Sequence, residues 1–178
     1  MDKKLLGERR RETIIKWLKE SPEPIIGEEL SKRANVSRQV IVQDISLLKA
    51  RNEPIVATSQ GYIYIQDQPK NERYSRIIAV KHTAEETLDE LNLLVDHGVT
   101  VKDVIVEHPV YGEISGSLMI SNRFEVKRFI EKLGETKASL LSLLTDGIHL
   151  HTIEADSPDR LDAACEALQE ANFLLNDQ

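Results

Sequence analysis

The sequence lacks the features that would cross-link the chain, anchor it in a membrane or direct its export. Cys165 is the only cysteine among 178 residues, so the chain cannot close an intrachain disulfide. No apolar run approaches the roughly 20 residues that span a bilayer. The charged start MDKKLLGERRRE has neither the apolar core nor the cleavage site of a signal peptide. We therefore expect a cytoplasmic protein, in which Cys165 is a buried, inert thiol.

Charge is divided unevenly along the chain. Residues 1–70 contain 13 Lys and Arg against 10 Asp and Glu, whereas the remaining 108 residues contain 10 against 20. A mildly basic segment joined to an acidic one is typical of a DNA-binding part attached to a domain with another task. The polar stretch from Gln66 to Glu72 includes a proline and has no periodicity, which is typical of a linker. We therefore expect two domains, at residues 1–68 and 73–178.

The N-terminal segment has the element order of a winged helix. Apolar residues at helical spacing predict helices over residues 5–20, 27–34 and 37–51. Two short apolar runs on either side of a glycine turn, at residues 55–57 and 62–65, predict a β-hairpin. Ser37 is placed to cap the third helix. The face that this helix should bury is formed by Val36, Ile41, Ile45 and Leu48.

The run from Glu29 to Ile45 carries a more specific pattern. Its sequence, ELSKRANVSRQVIVQDI, resembles the helix-turn-helix of many bacterial repressors and of the DNA-binding arm of biotin ligase repressors. In that motif the start of the third helix enters the major groove of DNA. The resemblance implies that this segment binds double-stranded DNA, although an ordinary three-helix core with a solvated charged face remains an alternative.

The residues expected to contact DNA fall into two groups. Ser37 and the free N–H groups at the helix start can meet a phosphate. Arg38, Gln39, Val42 and Gln43 point away from the apolar face, toward base edges. Arg suits guanine, Gln suits adenine, and Val can touch the thymine methyl group. Contacts to the DNA backbone, which position a protein without reading sequence, are expected from Arg9, Arg10, Arg11, Lys49 and Arg51.

The second segment predicts an α+β sandwich, with helices on one face of a mainly antiparallel sheet. Its element order is β-α-β-β-α-β-α, and Ser157 followed by Pro158 is a typical helix start. The stretch 137–144 is ambiguous and is interpreted as a short helical turn. The predicted strands are at residues 77–80, 101–108, 113–120 and 147–154, and the predicted helices at 83–97, 122–133 and 157–172.

All five histidines lie in this second segment. His149 and His151 are two apart on a predicted strand, so both project from one face. His82 precedes a helix start in which Glu86 is expected to fold back on Thr83 as a capping box. Glu90, one turn later, is left free. The mixed nitrogen and oxygen set suits a first-row transition metal, but the two strand histidines can equally decorate an exposed sheet face.

Three motifs in this segment together resemble the three-histidine (3H) domain. They are His82 with Glu90, the stretch EHPVYGEI at residues 107–114, and GIHLHTI at residues 147–153. Preceded by the winged helix, the whole chain resembles the niacin-responsive repressors of the NiaR family. That resemblance implies repression of genes for NAD synthesis and niacin uptake, with nicotinic acid as co-repressor. It also implies a bound divalent metal, nickel in the family and zinc as a possibility, with the ligands His82, Glu90, His149 and His151.

The effector pocket is less well determined by the sequence. Nicotinate offers a carboxylate for a cation such as Lys81 or Arg123, and a pyridine nitrogen that can fill an open metal position. His108 and Tyr111 are further candidates for contact with the effector. Because one winged helix offers a small footprint, we also expect a homodimer on an inverted repeat.

Two other classes of protein share some of these features. A small metal-dependent hydrolase fused to a DNA-binding arm would show the same ligands, with Glu107 or Glu113 as general base. A biotin ligase repressor would need a loop rich in glycine and arginine, whereas the eight glycines of this chain are scattered singly. The first class remains the alternative, and the second is set aside.

Overall fold

The chain divides into two compact units, Met1–Pro69 and Lys70–Gln178. A computed structural model describes residues 7–65 and 73–175. The predicted linker from Gln66 to Glu72 and the first two residues of the predicted helix 5–20 lie outside the described residues. Within the described ranges, no helix has the length and apolar character that crossing a membrane requires.

The first unit consists of three helices followed by an antiparallel hairpin, in the predicted order. Tyr62 of the hairpin also forms a bridge with Ile25. This close approach needs a glycine, because a Cβ atom on Gly61 would lie 2.7 Å from the backbone of Ile25. The elements are α1 (Gly7–Glu20), α2 (Gly27–Ala34), α3 (Arg38–Ala50), β1 (Ile55–Thr58) and β2 (Gly61–Tyr64).

Local signals explain the turn between α2 and α3. Asn35 ends α2 in the left-handed region, with φ of 51°, a conformation that Asn tolerates better than most residues. Ser37 then caps α3, its side chain accepting a hydrogen bond from the backbone N–H of Val40 at 3.4 Å. The expected face of α3 is buried at Ile41, Ile45 and Leu48. Val36 is only partly buried, at the edge of the same core.

The second unit is a four-stranded sheet with helices, and the α+β class is confirmed. The strand order is β3-β6-β4-β5 and every pairing is antiparallel. The helix predicted at 83–97 begins as a 3-10 turn, and the ambiguous stretch forms a second 3-10 turn at Leu141–Thr145. The elements are β3 (Tyr74–Lys81), α4 (Thr87–Asp96), β4 (Thr100–His108), β5 (Gly112–Ile120), α5 (Arg123–Thr136), β6 (Ile148–Ala155) and α6 (Pro158–Glu170).

The side chains of the inner strand β6 point alternately to two faces of the sheet that differ in burial. Its residues alternate in burial, with His149, His151 and Ile153 buried and Ile148 exposed. Ile153 belongs to the apolar core that also contains Leu91 of α4 and residues of α6. The two histidines therefore lie on the helix-covered face, which excludes the alternative of histidines decorating an exposed sheet face.

Candidate functional site

Four side chains from three elements meet beneath the helices of the second unit. His82 directly follows β3, Glu90 lies in the first half of α4, and His149 and His151 lie on β6. All four are buried, and Glu90 is completely inaccessible to solvent. Glu86 is the other carboxylate near the start of α4. It accepts a hydrogen bond from the Thr83 N–H at 2.8 Å, as the capping box requires, and is therefore not part of the site.

The donor atoms of these four residues lie close to one another. Nε2 of His82 is 3.2 Å from one oxygen of Glu90, and Nε2 of His151 is 3.2 Å from the other. Nε2 of His149 is 3.1 Å from Nε2 of His151. We call these residues the histidine cluster. His82, Glu90 and His149 offer ligand atoms within 4.8 Å of one another, and His151 joins them through its two contacts.

Backbone carbonyls hold the opposite nitrogen of every imidazole in the cluster. Nδ1 of His82 lies 2.7 Å from the Thr83 oxygen, and Nδ1 of His149 lies 2.9 Å from the Gly147 oxygen. Nδ1 of His151 lies 2.5 Å from the oxygen of Asp103. Since a carbonyl only accepts, each Nδ1 carries the proton that it donates. In the neutral form, each Nε2 therefore presents a lone pair to the centre of the cluster.

The centre of the cluster contains polar atoms without partners. Among the described residues, Nε2 of His82 and both carboxylate oxygens of Glu90 are buried and have no hydrogen-bond partner, despite their short mutual distances. Lone pairs of His149 and His151 also face each other. Buried polar groups in this state are costly unless a proton or a cation satisfies them. Protons on the imidazoles or a bound cation would satisfy these atoms.

The electrostatics of the cluster are those of a carboxylate shared by imidazoles. Burial lowers the pKa of His82 and of His151, but the Glu90 carboxylate outweighs it and raises both pKa values above 6.5. Burial would raise the pKa of Glu90, yet His151 and His82 hold it far below its usual range. Burial and the neighbouring His151 lower the pKa of His149 to about 4. Glu90 is therefore ionised and supplies the negative charge of the cluster.

The donor set and its spacing fit a first-row transition metal. Bonds of about 2.1 Å separate neighbouring ligand atoms by about 3.0 Å at right angles and about 3.4 Å at the tetrahedral angle. The contacts of 3.1 and 3.2 Å within the cluster lie in this range. Three imidazoles and one carboxylate suit zinc, nickel, iron or copper better than calcium or magnesium. His82, Glu90 and His149 are thus brought together around one position, with His151 in contact with two of them, and the role of the set as a metal site stays a prediction.

Gly147 makes the entry of β6 into the cluster possible, and we did not single it out from the sequence. Its φ is +87°, and a Cβ atom there would lie 2.3 Å from the carbonyl oxygen of His82. On the other side, the ring of Phe173 packs edge-on against His82 at 5.6 Å between centroids. A glycine directly before the His-x-His strand was the available signal, since such a glycine often marks a close backbone approach.

The proposed effector residues are dispersed in the structure. His108 and Tyr111 lie at the tip of the β4–β5 hairpin, where Nδ1 of His108 accepts from the Tyr111 N–H at 3.3 Å. Lys81, the last residue of β3, is exposed and lies on the face of the strand opposite to that of the buried Val80. Arg123 is exposed, and its guanidinium pairs with Asp96 at the end of α4 that lies away from Glu90. These placements leave His108, Tyr111, Lys81 and Arg123 as predictions.

The first unit presents the predicted base-reading side chains to solvent. Arg38, Gln39, Val42 and Gln43 are all exposed on α3, next to the N–H groups of the helix start capped by Ser37. An exposed valine among polar residues is compatible with contact to a thymine methyl group. The helix therefore exposes the side chains that its motif predicts to face bases, and the role of each residue stays a prediction.

Two of the predicted contacts to the DNA backbone are corrected by the structure. The guanidinium of Arg10 bonds to both carboxylate oxygens of Asp44, at 2.5 and 3.2 Å, and Arg11 lies 3.3 Å from the same group. The Arg10 and Arg11 side chains are only 11% and 15% exposed. They hold α1 against α3 and are not available as phosphate contacts. Arg51 pairs with Glu8 but is half exposed, and Arg9 and Lys49 are exposed.

Asp44 is a residue whose importance the sequence reasoning missed. It is 2% exposed although it lies between exposed Gln43 and buried Ile45. A carboxylate three residues after Ile41, next to the apolar stripe of an amphipathic helix, was the signal that could have identified it.

Comparison with known proteins agrees with the two-unit architecture. Residues 75–177 match the 3H domain, and residues 10–63 match a helix-turn-helix (HTH) domain. Over 175 residues the chain is 55% identical to the transcription repressor NadR of Bacillus subtilis strain 168, covering 98% of this chain and 97% of that protein. Over 177 residues it is 40% identical to the probable transcription repressor NiaR of Thermotoga maritima, covering 99% of each.

These relatives are named as regulators, not as enzymes, and they align over nearly the full length of both domains. The exposed face of α3 in an HTH unit and a buried histidine cluster in a 3H unit are the features that this alignment spans. The chain therefore belongs to the NadR/NiaR family of transcription repressors, with an N-terminal HTH domain and a C-terminal 3H domain.

Proposed function

We propose that this repressor binds a divalent transition metal in its 3H domain and uses nicotinic acid as co-repressor to control genes of NAD synthesis and niacin uptake. The observation that carries the proposal is the histidine cluster, in which every Nδ1 is held by a carbonyl and every Nε2 points inward. Preorganised imidazoles of this kind are what a metal centre requires. The identity of the effector rests on the resemblance to niacin-responsive repressors.

In this proposal, His82, Glu90, His149 and His151 hold the metal. When bound, the metal neutralises the buried carboxylate and supplies an open coordination position for a ligand atom such as a pyridine nitrogen. Nickel is the ion that the resemblance favours, and zinc also suits the donor set. The protein residues supply orientation and exclude water, because all four ligands are buried.

The HTH unit reads the operator through the start of α3. Ser37 and the adjacent N–H groups meet a phosphate, while Arg38, Gln39, Val42 and Gln43 face base edges in the major groove. Arg9, Lys49 and Arg51 remain as contacts to the DNA backbone.

A single unit of this size covers a small site, so we propose that the repressor acts as a homodimer on an inverted repeat. Each protomer would then place one α3 helix in a half-site. Sedimentation of the protein alone and with operator DNA measures this directly. A monomer in both conditions would contradict the dimer without affecting the metal site.

The metal-dependent hydrolase is not supported as a second function. Its proposed general bases, Glu107 and Glu113, are exposed and pair with each other at the hairpin end. Strand alternation places Glu107 on the face opposite Val106, which is buried, and thus away from the face that carries the histidine cluster.

The experiment that tests the proposal is an operator-binding titration of the full chain under four conditions, with and without nickel and with and without nicotinate. We expect the highest operator affinity only when both are present. Reciprocity requires that operator DNA then tightens nicotinate binding by the same factor. Equal operator affinity under all four conditions would contradict the role of metal and effector. Nicotinamide, which lacks the carboxylate charge, is the matched control ligand.

A further inference from the structure

The pairing of β4 is irregular at the same part of the strand toward both of its neighbours, β6 and β5. Toward β6, Val101 pairs with Ile153 and Ile105 pairs with Leu150, so β4 has one residue more than β6 in this interval. Toward β5, the register also shifts between Val101 and Asp103. Irregularities of this kind bend a strand and redirect its polar groups, and they are common next to functional sites.

Asp103 lies within this interrupted stretch and bonds to two consecutive residues of β6. Its carboxylate accepts a hydrogen bond from the backbone N–H of Thr152 at 2.8 Å. Its carbonyl oxygen lies 2.5 Å from Nδ1 of His151. In a regular antiparallel ladder, a backbone carbonyl satisfies the N–H of the facing strand. Here the side chain takes over that bond, which leaves the carbonyl for the imidazole.

His151 differs in this respect from the other two imidazoles of the cluster. His82 and His149 are held by carbonyls one and two residues away in the chain, so their own turns orient them. The partner of His151 is 48 residues away, on another strand. Its ring also contacts both Glu90 and His149. The orientation of His151 therefore depends on how β4 is held at Asp103.

We propose that Asp103 is a positioning residue of the metal centre, acting through His151. Its bond to Thr152 holds the irregular stretch of β4 in place, and its carbonyl keeps the proton of His151 on Nδ1 so that Nε2 faces the cluster. The proposal rests on the metal site of the proposed function. Outer partners of this kind change metal affinity by about 10–100-fold when they are altered.

The test compares three variants of the full chain with the wild type. Asp103→Ala removes the acceptor for Thr152, and Asp103→Asn keeps an acceptor oxygen at the same place. The matched control is Glu154→Gln, which alters the ion pair with Lys102 across the same two strands without touching the cluster. Metal affinity is measured by competition with a chelator for nickel, and geometry by the visible spectrum of the cobalt-loaded protein.

We expect Asp103→Ala to lose about 10–100-fold in nickel affinity and to change the cobalt spectrum. Asp103→Asn should stay within a few-fold of wild type, and Glu154→Gln should be unchanged. If Asp103→Ala does not fold, Asp103→Ser, whose shorter side chain cannot span the 2.8 Å bond from the same backbone position, replaces it with the same expectation. Nitrogen NMR of the metal-free proteins, at a pH where the His151 imidazole is neutral, should show its Nδ1-protonated form in the wild type and in Asp103→Asn only.

Wild-type affinity and spectrum in both Asp103→Ala and Asp103→Ser would overturn this inference while leaving the metal site intact. A wild-type protein that binds neither nickel nor cobalt would overturn the metal site of the proposed function together with it. Equal losses in Asp103→Ala and Glu154→Gln would assign the effect to general weakening of the sheet and would also overturn the positioning role.

Discussion

Arg10 of α1 and Asp44 of α3 form an ion pair at the interface of the two helices, with Nε of the arginine 2.5 Å from Oδ2 of the aspartate. The Asp44 side chain is 2% exposed and also faces Arg11. Burying charges is costly, so such a pair contributes little net stability by itself, but removing one partner leaves the other charge uncompensated. The pair therefore fixes how α3 packs on α1.

The first prediction follows from this pair. Asp44→Ala should destabilise the first unit by about 3 kcal/mol, because it removes the buried carboxylate that Arg10 and Arg11 both contact at the helix interface. Unfolding by urea, followed through Trp17, the only tryptophan, reports on this unit. The control is Lys32→Ala, which removes an exposed pair with Glu28 and should have little effect. Similar unfolding midpoints for the two variants would contradict a structural role of Asp44.

The second prediction separates reading from positioning on DNA. Arg38→Ala and Gln43→Ala should each weaken operator binding by about 1–3 kcal/mol and relax sequence preference, if they make base contacts. Lys49→Ala should weaken binding to all sequences alike and reduce its salt dependence. Competition with mutated operators and random DNA distinguishes these outcomes. Equal losses on specific and random DNA for Arg38→Ala would contradict α3 as the reader.

The third prediction concerns the histidine cluster. His149→Ala removes one inward Nε2 and should abolish stoichiometric nickel binding and the response to nicotinate, while weak nonspecific DNA binding persists. His97→Ala is the matched control, because Nδ1 of His97 lies 2.8 Å from the Leu93 oxygen at the end of α4. Calorimetric titration of nickel and then nicotinate tests both variants. Retained binding in His149→Ala, with loss in His97→Ala, would show that the cluster is misassigned.

The fourth prediction concerns the close approach at Gly147. Gly147→Ala forces a side chain into a backbone with φ of +87° and a contact of 2.3 Å with the His82 carbonyl. It should lower stability by about 2 kcal/mol or more and weaken metal binding. Gly134→Ala is the control, since α5 leaves open space there and Ala should stabilise by about 0.5–1 kcal/mol. Scanning calorimetry of the metal-free protein measures the stability of both variants. Wild-type stability in Gly147→Ala would contradict the close approach of residue 147 to the His82 carbonyl.

The fifth prediction is a pH dependence of metal binding. The raised pKa values of His82 and His151 mean that protons compete with the metal above pH 6.5, so metal binding should release protons there. Affinity should therefore rise with pH through that range. His149, with a pKa of about 4, is already neutral and adds no competition. Calorimetry in buffers of different ionisation enthalpy counts the released protons. A metal affinity independent of pH would contradict the conclusion that Glu90 raises the pKa values of His82 and His151.

Much of the architecture follows from patterns that are local in the chain. The capping position of Ser37 is visible in a few consecutive residues, as is the alternation that puts His149 and His151 on one face. The element order and the α+β class depend on the same short-range periodicities and are confirmed. The resemblance to a repressor family could likewise be identified from motifs that are each contiguous or nearly so.

The contacts between distant residues could not be predicted in this way. Periodicity identifies the charged face of a helix but does not say which opposite charge another helix brings to it. Arg10 was therefore assigned to DNA although it pairs with Asp44, 34 residues away. In the same way, the sequence did not indicate that Arg123 pairs with Asp96, 27 residues away.

By itself, the sequence determined the order of helices and strands and the helix-turn-helix pattern, and it supplied the set of residues predicted to bind a metal. Only the tertiary structure decided that the strand histidines are buried, that Glu90 lies between His82 and His151, and that Asp103 holds His151 from a neighbouring strand. The physical reason is that burial and strand register are set by packing between segments far apart in the chain, whereas residue type and spacing are properties of one segment.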